Sequence, residues 1–186
     1  MKAITQSLFR ERTIAGARAR ELRHAIEEFN ADYCAVLDTG SVEDWPRFFT
    51  EDGIYRVTAR ENAELGMPVG LVYAQGRNMM HDRAVAIART QMFAPRYNLH
   101  LVTNTRVTAE TEAAEIQAQA NFVLLQTLVE GPSTVHMAGS YYDTLVQRAG
   151  YSSAKDLLAY EVAPDFVAPK AMTTMRERLG ARMSIR

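Results

Sequence analysis

A chain of 186 residues with 47% hydrophobic and 23% charged side chains has the make-up of one globular domain large enough to bury its own core. A formal net charge of −1 excludes a nucleic-acid footprint over the whole chain, and no apolar run is long enough for a membrane-spanning helix. The one cysteine, Cys34, excludes an internal disulfide and, with charges where a secretory leader has its apolar core, predicts a reducing cytoplasm.

In chain order, residues 1–12 read as an N-terminal arm. From about Thr13 the pattern is helical, with Leu22, Ile26, Phe29, Tyr33 and Val36/Leu37 on one side and Arg20, Glu21, Arg23, Glu27 and Glu28 on the other. Gly40 is placed to end this helix at the C′ position, and Cys34 on its flank reads as a buried, inert thiol. The stretch Ser41 to Thr58 organises the rest. Trp45, Phe48 and Phe49 fall on one helical face, with Asp44 as the expected N-cap and Pro46 in the first turn. A turn over Thr50 to Gly53 leads into a strand, Ile54 to Ala59, with Tyr55, Val57 and Ala59 on one side. The three aromatics and Tyr55 are the expected structural core, a plug on the first strand of a curved sheet.

Arg60 to Gly66 reads as a polar loop and Met67 to Tyr73 as a short strand. A helix opens at Gly76-Arg77-Asn78, with Asn78 as its expected cap and an apolar stripe of Met80, Ala84 and Ile87 widened by Val85 and Ala88. His81, Asp82 and Arg83 lie in its first turns, and Met92 to Arg96 is a connector. Leu99 to Val107 is rich in β-formers. Ala114 to Val129 sets Ile116, Ala118, Ala120, Phe122 and Leu124 against Gln117, Gln119 and Asn121, and is long enough (roughly 50 Å if flat) that it must bend or bulge. Glu130 to Ser133 is a hairpin turn, Thr134 to Arg148 returns, Gly150 to Asp156 is a loop and Leu157 to Val162 the last strand. Helices segregated from a curved antiparallel sheet predict an α+β cone, domain 13–169. The tail 170–186 carries Met172, Met175, Leu179 and Met183 among four arginines, a basic helix expected to dock on its own domain or a neighbouring subunit.

A Rieske cluster needs two cysteines, which this chain lacks, and His24, His81, His100 and His136 are scattered with no HxxxH pair for a mononuclear iron. Phosphate-cradling and nucleophile-elbow motifs are absent from the sequence. Tyr33, Asp38, Tyr55, His81, Asp82 and His100 remain as isolated polar groups. At the mouth of a cone they would suit proton abstraction next to a carbonyl, as in a free-standing enzyme of the ketosteroid-isomerase or dehydratase kind. Otherwise His81-Asp82-Arg83 is an ion-pair cluster at a helix start and His100 a satisfied interface residue.

Three blocks in order carry a resemblance: Trp45, Phe48, Phe49, Asp52 and Tyr55; then Asp82-Arg83; then Arg96-Tyr97 with His100 and Asn104. The chain resembles the small (beta) subunit of Rieske-type aromatic-ring-hydroxylating dioxygenases over roughly residues 25–165. The segment RENAELGMP looks most like subunits serving aromatic carboxylates, the salicylate hydroxylase and terephthalate dioxygenase branch. The resemblance implies an NTF2-like (cystatin-like) cone with helices on the concave side of the sheet and no catalytic, cofactor or metal residue of its own. It implies a trimer of this chain beneath three large (alpha) subunits, α3β3, which carry the Rieske [2Fe–2S] cluster and mononuclear Fe(II) and are served by a ferredoxin and reductase. Asp82, Arg83, Arg96, Tyr97 and His100 would then lie at subunit interfaces. The tail 170–186 departs from the family's short apolar ending.

Overall fold

A computed structural model describes residues 10–65, 70–90, 95–146 and 165–168. The first helix, α1, runs Gly16–Asp38 and buries Leu22, Ile26, Phe29 and Tyr33 at steps of four, three and four. It starts three residues later than the periodicity suggests because Thr13 is held elsewhere: its N–H donates to the Thr108 carbonyl at 2.8 Å. At the other end Thr39 donates from both its N–H (3.0 Å) and its hydroxyl (2.7 Å) to the Ala35 carbonyl. Gly40 follows at φ +83°, where a side chain would be strained.

The aromatic stretch is a 3₁₀ helix, Val42–Phe48, with Pro46 inside it rather than in its first turn. The expected cap moves accordingly. Asp44 lies within the helix, and its N–H donates to the carbonyl of Ser41, the residue at the cap position, at 2.9 Å. Tight i→i+3 bonding explains the tolerance: Pro46 forfeits one donor, while its carbonyl still accepts from Phe49 N–H at 3.1 Å.

Strand β1 is Ile54–Ala59, as the alternation implies. Arg60–Glu64, expected to be loop, is a short helix, α2. Strand β2 is Val72–Gln75, later than the expected 67–73, of which residues 67–69 lie outside the described chain. Its position follows from Gly76, which at φ +79° turns the chain directly into α3 (Arg77–Arg89) while its N–H bonds the Gly53 carbonyl at 2.8 Å. Gly76, not Asn78, therefore stands at the cap position. Helix α3 buries Met80 and Ala84 fully, Val85 and Ile87 in part, and leaves Ala88 exposed.

Three long strands follow: β3 (Arg96–Glu110), β4 (Glu115–Leu128) and β5 (Ser133–Val146). They make a continuous antiparallel meander with Phe122 opposite Gly139 and Ala120 opposite Tyr141. The needed bending comes from bulges. Residues are inserted in β3 between Thr103 and Arg106 and between Val107 and Ala109, and β5 slips against β4 at Leu124/Leu125. The last described strand, β6, is Asp165–Ala168; the segment 157–162, expected to be that strand, lies outside the described residues, as does the tail 170–186. The order is β2-β1-β6-β5-β4-β3. β6 runs antiparallel to β5 but parallel to β1, a correction to the all-antiparallel expectation that comes from its arriving by a long connection rather than a hairpin. The core fills the space between this curved sheet and the helices on its concave side: α1 with Leu22, Ile26 and Phe29, the 3₁₀ segment with Trp45 and Phe48, α3 with Met80 and Ala84.

Candidate functional site

Two surfaces of the sheet hold the residues that could carry function, and β3 contributes to both. On the concave side the Trp45 indole N–H donates to the Tyr33 hydroxyl at 2.9 Å. Edge-to-face contacts extend the cluster, Trp45 to Tyr55 with centroids 4.9 Å apart and Trp45 to Phe49 at 5.1 Å. Trp45, Phe48 and Phe49 are buried and Tyr55 half-buried, so all four sequence-predicted core residues meet there. Tyr141 stacks on Phe122 at 4.8 Å beyond them. Burial pushes the Tyr33 phenol well above its ordinary value and the Tyr55 phenol up to about 12. The Cys34 thiol is raised to about 12, mainly by burial and further by the Asp38 carboxylate one turn along.

Asp143, which the periodicity analysis did not single out, belongs to this interior. It is 6% exposed, and burial raises its carboxyl from 3.8 to about 7. The signal was available: Asp143 alternates with Tyr141 and Leu145 on the inward row of β5, an acid where the pattern demands an apolar side chain.

The six polar groups that would have formed a proton-abstraction site separate into three sets. Tyr33 and Tyr55 are inside. His81 and Asp82 are exposed on α3. Asp38 and His100 pair with each other at the end of α1, the His100 backbone N–H on Oδ2 at 2.9 Å and the imidazole Nδ1 on Oδ1 at 2.5 Å. An ionised carboxylate only accepts, so Nδ1 carries the proton there. At the opposite end of α1, Arg18 grips Glu110 with Nε on Oε2 at 3.0 Å and Nη2 on Oε1 at 2.8 Å. Helix α1 is thus tied to β3 at both ends. The fork lifts the Arg18 guanidinium further and lowers the Glu110 carboxyl. Among the described residues, no group of three His, Cys, Asp or Glu side chains is placed to hold a metal ion.

The sequence-predicted interface residues divide as well. Arg96 and Tyr97 open β3 and are exposed, Tyr97 at 69%. Asp82 and Arg83 are exposed on α3, and His100 is half-buried on Asp38. From Tyr97 the outward positions of β3 continue through Leu99 (49%) and Leu101 (47%). Val123 and Leu125 of β4 lie opposite Leu101 and Leu99, and Val135 of β5, 51% exposed, lies opposite Leu125. This is a contiguous apolar patch on the convex face. Its row stops at Asn104, whose φ of +56° sits in the first β3 bulge and reverses which residues face inward. Asparagine tolerates that conformation better than other side chains.

Residues 18–151 match the SnoaL-like domain family. The anthranilate 1,2-dioxygenase small subunit of Burkholderia cepacia is 36% identical over 115 residues, 62% of this chain and 71% of that one. This chain is a small subunit of the aromatic-ring-hydroxylating dioxygenase family. The terephthalate 1,2-dioxygenase terminal oxygenase component subunit beta 1 of a Comamonas species is 30% identical over 118 residues, 63% of this small subunit and 76% of that one. A crystal structure of a beta subunit assigned to an aromatic-ring-hydroxylating dioxygenase of Novosphingobium aromaticivorans superposes with a TM-score of 0.65 at 29% identity, covering 81% of this small subunit and 88% of that chain. The fold of the small subunit is accordingly the NTF2-like, SnoaL-like α+β cone. Among its described residues no helix is long and apolar enough to cross a membrane.

Proposed function

We propose that this chain is the non-catalytic structural subunit of a multicomponent Rieske non-haem iron oxygenase, supporting a large catalytic subunit in the breakdown of an aromatic carboxylate. The observation that carries the reading is the convex patch of Tyr97, Leu99, Leu101 and Val135, apolar and exposed among the described residues. Contiguous apolar surface of this kind marks a protein–protein contact. Anthranilate and terephthalate, in the names of two relatives, are both aromatic carboxylates, which supports the substrate class.

The finer assembly follows the same line. Three copies of this chain associate as a ring and carry three large subunits, α3β3, in the cytoplasm. The Rieske [2Fe–2S] cluster and the mononuclear Fe(II) belong to the large subunit, which takes its electrons from a ferredoxin and reductase. Within that assembly Arg96 and Tyr97 extend the patch to its polar rim, Asp82 and Arg83 supply charged contacts from α3, and His100, held by Asp38, braces β3 from behind.

Co-expression with the large subunit tests this. The pair Leu99→Asp and Leu101→Asp places two charges in the patch without entering the core. The isolated wild-type chain is expected to scatter light as a multiple of 20.8 kDa and the double variant as a monomer. Co-purified large subunit should fall at least about a hundredfold, two central contacts at roughly 2 kcal/mol each, while turnover per bound iron in the residual complex stays near normal. Wild-type assembly by the double variant, or hydroxylation by this chain alone, would overturn the reading.

A further inference from the structure

We infer that residues 1–9 of this chain fold back across the convex face and cover the apolar patch of Leu99, Leu101 and Val123 until a partner displaces them. The cover itself is argued from the chain alone, and its effect on docking rests on the assembly proposed above.

The residues that follow this segment already lead onto that face. Thr13 N–H donates to the Thr108 carbonyl at 2.8 Å and Arg12 Nε to the Val107 carbonyl at 3.2 Å, so the chain meets the sheet along β3, its outermost strand. It then turns to the convex side. Arg106 donates from Nη2 to the Arg10 carbonyl at 2.7 Å and from Nη1 to Gln119 Oε1 at 3.0 Å. The Arg10 guanidinium lies 5.8 Å from the centre of the Tyr142 ring, within cation–π range. Arg106, Gln119 and Tyr142 are register partners on β3, β4 and β5, in the outward row that includes Gln119. By Arg10 the chain has therefore crossed from the edge of β3 towards β5, on the face that carries the patch.

Direction and reach agree with a cover. From Thr13 to Arg10 the contacts run from Thr108 to Arg106, towards falling numbers on β3, which is the way to Leu101. Along β4 the outward row continues from Gln119 through Asn121 to Val123 and Leu125, so the patch begins roughly 13 Å beyond the Arg106 row. Nine extended residues span about 30 Å, enough to cross the patch. Polarity changes in step. Arg10, Glu11 and Arg12 are charged, whereas residues 1–9 carry one charged side chain, Lys2, beside the apolar Met1, Ala3, Ile4, Leu8 and Phe9. The face makes the same change, from Arg106, Gln119 and Asn121 to Leu101 and Val123. Removing those apolar side chains from water favours the contact. The C-terminal tail is the other segment that could lie there. Its strand, β6, ends at Ala168 beside Ala59, in the body of the sheet, and among the described residues no contact leads from it onto the convex face.

The full-length chain with Leu8→Cys and Val123→Cys is treated at high dilution with a short bismaleimide, Cys34 being buried. The expected product is a link within one chain. Adding Ile4→Asp should lower its yield about tenfold, and adding Leu179→Asp with Met183→Asp should leave it unchanged. A link between two chains, no link at any dilution because a second copy holds the patch, an equal yield with Ile4→Asp, or a loss only with the tail variant would each overturn the inference. In a second measurement, the full-length chain with Ile4→Asp and Leu8→Asp should bind the large subunit about tenfold more tightly, as expected if the open patch is populated about one-tenth of the time. Unchanged binding overturns the inference if Leu99→Asp with Leu101→Asp abolishes assembly. If that variant assembles as wild type does, the assembly reading has failed instead, and the intrachain link still decides where residues 1–9 lie.

Discussion

The two faces of the long strands follow opposite rules, though the same residues of sequence alternate between them. Inward, β4 and β5 present Ile116, Ala118 and Leu145, closed over by α1 and the aromatic 3₁₀ segment, and Phe122 and Tyr141, packed with Val57 and Tyr55 of β1. Outward, the first half of β3 presents Tyr97, Leu99 and Leu101, nearly as apolar and left open. A row of leucines is ordinarily the signature of a core, so hydrophobicity alone does not say which face is inside. The difference is made by partners within the chain: the concave side has a helix, a plug and polar ties at both ends of α1, and the convex side has none among the described residues. The inside is specified by packing, and the outside is the face proposed above for another polypeptide.

The largest way to break that contrast is Phe49→Ala. Phe49 is 1% exposed and touches both Trp45 and Tyr55, so truncation should cost about 3–5 kcal/mol, read as a fall in the urea midpoint of the isolated chain. The convex double variant described above should leave that midpoint almost unmoved while abolishing assembly. Finding the reverse would merge the two faces into one.

Asp143→Asn sharpens the interior half. The Asp143 carboxyl titrates near 7 in the folded chain against an ordinary 3.8, so the native state holds a proton that the unfolded chain has released. Stability from this group is complete below about pH 4 and is lost as the pH rises to about 7. The wild-type melting temperature should decline across that window by an amount equivalent to a few kcal/mol, and the asparagine variant should stay flatter. Tyr33→Phe tests the same interior at smaller scale. It strands the buried Trp45 N–H and should cost about 1–3 kcal/mol, with a shift in tryptophan emission.

The smallest effect is expected at Ala114, whose φ of +59° in the β3–β4 turn belongs to glycine territory. Ala114→Gly should raise stability by about 0.5–1 kcal/mol, seen in denaturant unfolding, and should touch neither face.

Much of this was legible in the residues. The periodicity from Leu22 to Tyr33, the glycine after Thr39, the bounds of β1 and the alternation of β4 all express local rules that tertiary packing did not override. Where the reading slipped, a non-local contact decided. Thr13 was drawn to Thr108, β2 was set by the hydrogen bond between Gly76 and Gly53, and β6 took a parallel place beside β1. The 3₁₀ geometry around Pro46 was missed because i, i+3 spacing fits two kinds of helix equally well. At the candidate sites the pattern gave identity but not company. His100 was visible as a polar residue on a strand, whereas its tie to Asp38 is a product of α1 lying along β3. Asp143 belongs to no motif: a lone acid in an alternating strand has no spacing that marks it, though its row is legible in the alternation of β5.

The position of β6 has a consequence for how the protein is made. In the sheet order it stands between β1 and β5, and among the described strands it alone links the β2-β1 pair to the β5-β4-β3 meander. Val57 must wait for Phe166 before those two halves share a hydrogen-bonded edge. Such distant pairings carry a large chain-closure entropy and slow the search for the native state. On the ribosome the meander can zip locally as it emerges, but the sheet stays in two pieces until synthesis has passed Ala168. Until then the inner edges of β1 and β5 are unpaired, and that interval is when a newly made chain is most exposed to pairing with the wrong neighbour.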